Sequence, residues 1–330
     1  MLQTLTARNP FAIGAPGPIE RAIRRLRYRS CYGRNALVPA LDERQRDMLE
    51  ALRRDGTLVL PGYLDAATLR TLREETQRSL EALDFETPCL AQSRLDPVRH
   101  RDLLDNYLYG SPRQFLARGA AFDRHEARSL EQVVREFEPS TLTIYPMARS
   151  AAFRGVLLDP YLLPVICGYL GLVPKLVEAY VRRNFPSRHC TMNHFWHRDL
   201  NDRHQLLKMF VFLSDTTVDN GPHEFVRGSQ SDYARLNGKR YYDDPEVDAA
   251  FPVGSPARLV SEVAAGTVIV EDTRGLHRAR MPLSGHRDLG YGVYFPIADG
   301  AEPALYEFPR AAAGALSPLQ RALVPARCLA

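Results

Sequence analysis

The sequence carries the tripeptide His197-Arg198-Asp199 and then, 80 residues further on, a histidine at position 277. In a β-strand, alternate side chains share a face. His197 and Asp199 can therefore reach one ion together while Arg198 points elsewhere. The third ligand must come from a neighbouring strand, which requires a fold that lays distant stretches of chain side by side. Two imidazoles and one carboxylate occupy one face of an octahedral ion and leave the other open for substrate, cosubstrate and dioxygen. That ligand set is the one expected of a non-haem Fe(II) oxygenase.

Two other readings of these letters are weaker. "WHRDLND" imitates the catalytic loop of a protein kinase, but His204 stands where that loop needs asparagine, with no glycine-rich phosphate loop before it and no D-F-G after it. A second His-x-Asp at His286-Arg287-Asp288 has no histidine beyond it to complete a set.

Arg287 lies ten residues after His277, at the start of the alternating run "RDLGYGVYFPI". A guanidinium grips a carboxylate through two parallel hydrogen bonds, as an enzyme using 2-oxoglutarate needs for the distal carboxylate. Arg280, three residues after His277, is the rival for this role.

Between these motifs, "LLKMFVFLSD" (206–215) is apolar and rich in β-formers, Asn220-Gly221 signals a turn, and a further strand falls near 267–271. Short strands separated by turns, with no long helix between them, predict an antiparallel barrel or jelly roll. Upstream, "ALDERQRDMLEALRRDGTLVLPGYLDAATLRTL" reads as helix, strand at 57–60, helix, with Met48, Leu49 and Leu52 on one helical face and Asp65 as an N-cap. Residues 87–140 read as irregular, helices resume around 148–170, and a strand is expected at 175–185.

The stretch from Leu58 to Pro296 resembles the phytanoyl-CoA dioxygenase family of Fe(II)/2-oxoglutarate oxygenases. The resemblance is carried by "RRDGTLVLPGYLDAATLRTL", "FWHRDL", "LKMFVFLSDTTVDNGPHEFVRGSQ" and "DTRGLHRARMPLSGHRD". It implies a mainly β fold with framing helices, a double-stranded β-helix of the cupin-like jelly-roll type. It also implies that His197, Asp199 and His277 bind iron and act in catalysis, that Arg287 binds 2-oxoglutarate, and that dioxygen is the oxidant. The segment "NGPHEFVRGSQ" follows the family's "NGPLxFxPGSH" pattern, with Gln230 where histidine is usual. Some members carry a hydroxyl two residues after the distal histidine, where this chain has Ala279; Lys208 and Thr273 are the candidate substitutes. Related halogenases replace the carboxylate ligand with a small residue. Asp199 is retained, which favours hydroxylation or another oxidation. In this family the region before the barrel covers the active-site mouth, so substrate choice is expected within 87–140.

Asn193 lies four residues before His197, on the ligand-facing side of a regular strand, and is a candidate for binding 2-oxoglutarate. His189, His194, His204 and His223 crowd the motif and read mostly as ordinary packed or polar histidines. Trp196 is expected to anchor its strand in an apolar layer, and Cys190 to be buried filler.

At 330 residues and 45% hydrophobic, the chain can bury a full core. The organisation expected is a basic extension over 1–40 and one oxygenase domain over 41–330, its core barrel at about 140–300. No apolar run is long enough for a membrane span, and the opening lacks the pattern of a signal peptide. Five scattered cysteines without a C-x-x-C read as reduced thiols, so a cytoplasmic location is expected. Residues 1–34 hold seven arginines and one acid, a charge of +6 against +4 for the whole chain, which leaves about −2 (4 − 6) elsewhere. Ile19, Ile23 and Leu26 recur at helical spacing among these arginines. The simplest reading is a helix packed on the barrel by its apolar stripe; the alternative is peripheral contact of residues 19–34 with an anionic membrane surface.

Three functions are carried forward. The first is an Fe(II)/2-oxoglutarate-dependent hydroxylase acting on a small molecule, for which an anionic one is a candidate, or on a lipid- or sugar-linked metabolite, with no nucleic-acid partner. The second is a β-barrel metal enzyme that does not use 2-oxoglutarate, against which Arg287 speaks. The third is a non-catalytic binding protein on the same barrel, against which the intact ligand set speaks.

Overall fold

A computed structural model describes residues 17–82, 129–137, 140–187, 190, 192–199, 206–299, 301 and 306–329. The described residues open with the α-helices α1 (Pro18–Arg27), α2 (Arg29–Gly33) and α3 (Glu43–Asp55). Asp42 caps α3 through a reciprocal box with Gln45, satisfying two backbone donors that the first turn leaves open. Gly56, in the left-handed region, ends α3 and turns the chain into strand β1 (Thr57–Leu60). Asp65 accepts hydrogen bonds from the Ala67 and Thr68 amides and starts α4 (Ala66–Glu81). The next described helix is α5 (Leu130–Phe137), where the sequence suggested irregular chain. Strand β2 (Thr141–Ile144) and helices α6 (Ala151–Leu157) and α7 (Leu163–Leu170) lead into the barrel strands.

Those strands are β3 (Lys175–Asn184), β4 (Trp196–His197), β5 (Leu207–Phe212), β6 (His223–Val226), β7 (Tyr241–Tyr242), β8 (Arg258–Val260), β9 (Val268–Glu271), β10 (His277–Ala279) and β11 (Arg287–Phe295). They form two antiparallel sheets. One has six strands in the order β1-β9-β5-β11-β3-β2, the other five in the order β7-β4-β10-β6-β8. Strand β1, far upstream of the barrel's expected start, closes one edge of the larger sheet by pairing with β9.

Alternation along the strands separates two environments. On β5, Leu207, Met209 and Val211 join the large core shared with the helices, while Phe210 and Phe212 turn inward with Tyr180, Ile269, Leu289 and Tyr291. Each such fully buried side chain contributes roughly 1.5–3 kcal/mol relative to exposure. On β11 the helix-facing positions include Gly290 and Gly292. A Cβ at Gly290 would sit 2.7 Å from the Phe153 ring, and one at Gly292 2.8 Å from Leu157, so glycine lets α6 lie directly on the strand. Trp196 packs on the outside of the smaller sheet with Val226, Tyr242, Val247, Phe251 and Leu276. Arg258 and Arg278 lie over its ring, 4.8 and 4.6 Å from the centroid. Among the described residues, no helix is long and apolar enough to cross a membrane.

Candidate active site

Strands β4 and β10 are neighbours in the smaller sheet, and His277 sits directly opposite His197 in their register. The 80-residue separation is thus closed by one strand pairing. Asp199 follows β4 and is tied back by its amide, which donates to the Thr273 carbonyl at 2.8 Å. One ring nitrogen from each of His197 and His277 and one carboxylate oxygen of Asp199 all lie within 4.8 Å of one another. Nε2 of His197 is 3.9 Å from Asp199 Oδ1, and Nε2 of His277 is 3.6 Å from Oδ2.

Backbone carbonyls fix how the rings face. Nδ1 of His197 lies 2.8 Å from the Phe195 carbonyl and Nδ1 of His277 lies 3.0 Å from that of Gly275. A carbonyl can only accept, so each Nδ1 carries the proton and each Nε2 presents a lone pair inward, the tautomer a metal ligand needs. Burial pushes both imidazoles below their usual pKa, keeping them neutral. Burial opposes ionisation of Asp199, but Lys208, His277 and His197 outweigh it and hold the carboxyl well below the usual carboxylate range. Two neutral imidazoles and a carboxylate in one place are a donor set suited to a divalent cation.

Lys208 lies on β5 with Nζ 2.5 Å from Asp199 Oδ2. Burial alone would lower its pKa, yet the carboxylate raises it above the ordinary value. The lysine supplies positive charge to the aspartate where no cation is bound.

Arg287, at the start of β11, is 0% exposed. Among the described residues its Nε and Nη1 have no hydrogen-bond partner, and Nη2 has only a long 3.4 Å contact to Asn184 Oδ1. An unpaired buried guanidinium is costly, and its geometry suits a planar carboxylate. Arg287 shares its face of β11 with Tyr291, Val293 and Phe295, which line the cavity at the triad. Arg280 is elsewhere: its Nη2 lies 2.5 Å from Glu224 Oε1, with the side chain 46% exposed. The two rivals for the carboxylate are therefore separated by burial and by prior partners.

The cavity has a volume of about 290 Å³. Besides the triad and Lys208 it is lined by Asn193, by Glu178, Tyr180 and Arg182 from β3, by Phe210 and by His223. Tyr180 and Tyr291 stack at 5.0 Å, with the Arg182 guanidinium 5.0 and 5.2 Å from the two rings. Thr273 is fully buried and its Oγ1 has no hydrogen-bond partner among the described residues. The Arg198 side chain donates to the Ser229 and Arg274 carbonyls.

Sequence reasoning undervalued His223. Its Nε2 lies 2.9 Å from Glu271 Oε1, and its ring is 5.7 Å from that of His277. Glu271 is 0% exposed, and burial raises its pKa. The available signal was His223 standing where the family pattern has leucine. Cys190 is exposed, not buried filler, because it falls outside the strands on the approach to the motif. His189, His204 and most of 87–140 lie outside the described residues.

The model of the phytanoyl-CoA dioxygenase (PhyH) family matches residues 52–287. The chain belongs to the phytanoyl-CoA dioxygenase family. This family member is accordingly an enzyme of the Fe(II)/2-oxoglutarate-dependent oxygenase type, with iron and 2-oxoglutarate as its cofactor and cosubstrate and a jelly-roll core. No curated protein matches it. Among solved structures it is similar to HygX from Streptomyces hygroscopicus with nickel, 2-oxoglutarate and hygromycin B bound, at 20% identity over 76% of this chain and 87% of that one, TM-score 0.45. The non-haem α-ketoglutarate-dependent epimerase SnoN from nogalamycin biosynthesis is similar at 16% identity over 76% and 83% of the two chains, TM-score 0.47. AviO1 from Streptomyces viridochromogenes Tue57 is similar at 19% identity over 80% and 98%, TM-score 0.41.

Proposed function

We propose that this family member hydroxylates a polar small molecule, with His197, Asp199 and His277 as iron ligands and Arg287 as the clamp on the distal carboxylate of 2-oxoglutarate. The observation that carries this reading is Arg287, fully buried with two of its guanidinium nitrogens lacking a hydrogen-bond partner among the described residues. A carboxylate that enters the barrel would supply its missing partners. Iron and 2-oxoglutarate, when bound, would supply the oxidising power that turns dioxygen on a substrate C–H bond.

The chain's own residues do the rest. His197 and His277, held by carbonyl contacts at Nδ1, offer Nε2 without a proton to lose. Asp199 contributes the negative charge that lowers the cation's net charge, and Lys208 must yield its hold on Oδ2 when it does. Asn193 is a further hydrogen-bonding group on the cavity wall. Phe210, Val293 and Phe295 form an apolar part of that wall, which limits water at the reacting carbon. Arg182 and Arg240 add positive charge to the cavity, which favours an anionic or oxygen-rich substrate over a bare hydrocarbon.

The test is anaerobic titration of the metal-free protein with Fe(II) and then 2-oxoglutarate, monitoring the weak visible charge-transfer band of the complex. The expected result is a band that requires both additions and is absent from Asp199→Ala, whose iron affinity falls by more than about 100-fold. Iron binding without the band would overturn the 2-oxoglutarate assignment, and absence of iron binding would overturn the triad. Succinate release on adding candidate substrates then separates hydroxylation from other outcomes by product analysis.

A further inference from the structure

Helix α1 (PIERAIRRLR) is turned the opposite way from a helix that packs on a core by its apolar stripe. Ile19, Ile23 and Leu26, spaced four and three residues apart, are 76%, 61% and 72% exposed. Glu20 and Arg24 are half-buried instead, and the same side of the chain continues into the buried Tyr28 and Cys31. That side is held to the body. The Cys31 thiol donates to the Ile297 carbonyl at 3.3 Å, the Val173 amide donates to the Cys31 carbonyl, and Arg34 grips Asp299 through both terminal nitrogens. The protein thus keeps the polar side of α1 inward and presents the apolar one.

The charge around the stripe identifies what covers it. Arg21, Arg25 and Arg27 are exposed beside it, and the helix carries four arginines against Glu20, a net +3. A second copy of the chain would bring one +3 helix against another. It would also cover only three side chains, roughly a few hundred Å², well below the ~800 Å² per partner of a stable interface. An anionic bilayer surface matches both features at once: acyl chains for the stripe, lipid phosphates and carboxylates for the arginines.

We propose that α1 is a membrane-surface anchor, lying in the headgroup plane of an anionic bilayer with Ile19, Ile23 and Leu26 inserted and the flanking arginines on the headgroups. The attachment is peripheral and reversible, because one short helix supplies three apolar side chains rather than a span. Each arginine near an anionic surface strengthens partitioning by about fivefold, an effect that salt removes. This inference stands on the helix alone and does not depend on the chemistry assigned to the barrel.

The experiment is co-sedimentation of the full chain with extruded vesicles of pure phosphatidylcholine or of equimolar phosphatidylcholine and phosphatidylserine. The expected result is binding to the second and little to the first, weakened at high salt. Replacing the stripe (I19S/I23S/L26S) should lower the partition coefficient at least about tenfold, and R21E/R25E should lower it as well. All five positions are exposed, so the melting temperature should stay at the wild-type value and report that the variants are folded. Wild-type protein left in the supernatant of anionic vesicles would overturn the proposal. So would a stripe variant that binds as well as wild type. Sedimentation velocity showing a dimer that the stripe variant dissolves would assign the stripe to a second copy. Vesicle binding that appears only after deletion of residues 1–16 would assign it to that segment.

Discussion

Two arginines close in sequence behave oppositely because of what surrounds them. Arg287 is buried with two nitrogens unpartnered among the described residues, whereas Arg280 already holds Glu224 and is partly exposed. Removing one half of a buried, hydrogen-bonded charge pair costs about 2–5 kcal/mol. Arg287→Ala should therefore weaken 2-oxoglutarate binding at least ~30-fold while iron still binds, and Arg280→Ala should leave 2-oxoglutarate affinity unchanged. Isothermal titration of both variants decides it, and equal losses would show that neither is the clamp. His223 and Glu271 make a second residue-scale case. His223→Leu strands a buried carboxyl group, which costs about 1–3 kcal/mol. The double variant His223→Leu/Glu271→Leu removes both partners and should recover much of that stability in urea denaturation. A double variant less stable than the single would mean that Glu271 has another partner worth more than His223. That His197 and Asp199 share a side could be read from strand alternation, a local rule, and His277 joined them through the family resemblance. The His223–Glu271 pair could not, since it joins β6 of the smaller sheet to β9 of the larger one, a packing of the two sheets that no short motif encodes.

Elements were legible where their ends are chemically marked. Asp65 and Asn220-Gly221 sit where capping and turn chemistry predict, and β3, β5 and β9 fall on the runs rich in β-formers. Helix α5 read as irregular chain even though Ser129 and Gln132 stand at capping-box spacing at its start. The orientation of α1 was misjudged for a different reason. Periodicity reports that a helix has an apolar side, and says nothing of which side the body takes. The glycines of "RDLGYGVYF" are explained by their neighbour α6, with Phe153 0% exposed against Gly290. Gly290→Ala should force that ring or the helix outward at a cost of about 1–3 kcal/mol. The lowered melting temperature should come with little change in the iron site, because the new methyl faces the helices and not the cavity. A variant that melts like wild type would show that α6 can slide on the sheet.

At the scale of the whole molecule, the fold builds its metal site in a protonation state that needs no adjustment at neutral pH. Burial holds His197 and His277 below their unfolded value of 6.5, and takes His194 down to about 3. A histidine with a depressed folded pKa binds its proton first in the unfolded chain. Its contribution is therefore whole above pH 6.5 and is lost as pH falls from 6.5 toward the folded value. Asp199, held below its unfolded 3.8, adds a further loss as pH falls through 3.8. The metal-free protein should thus destabilise progressively in acid from about pH 6.5, visible as a falling melting temperature. At pH 7 the same shifts mean that both Nε2 atoms and the carboxylate are already free of protons. Metal binding usually releases protons from its ligands; here it should release none, and the heat of binding a divalent cation should be the same in buffers of different ionisation enthalpy. Lys208 is the group that could break this expectation, because the cation takes its partner and brings two positive charges beside it. Glu271 and Glu178 both face it electrostatically, and its pKa starts above 10.5. It should keep its proton. Release of one proton per ion, abolished in Lys208→Met, would show instead that the lysine is discharged when the metal arrives.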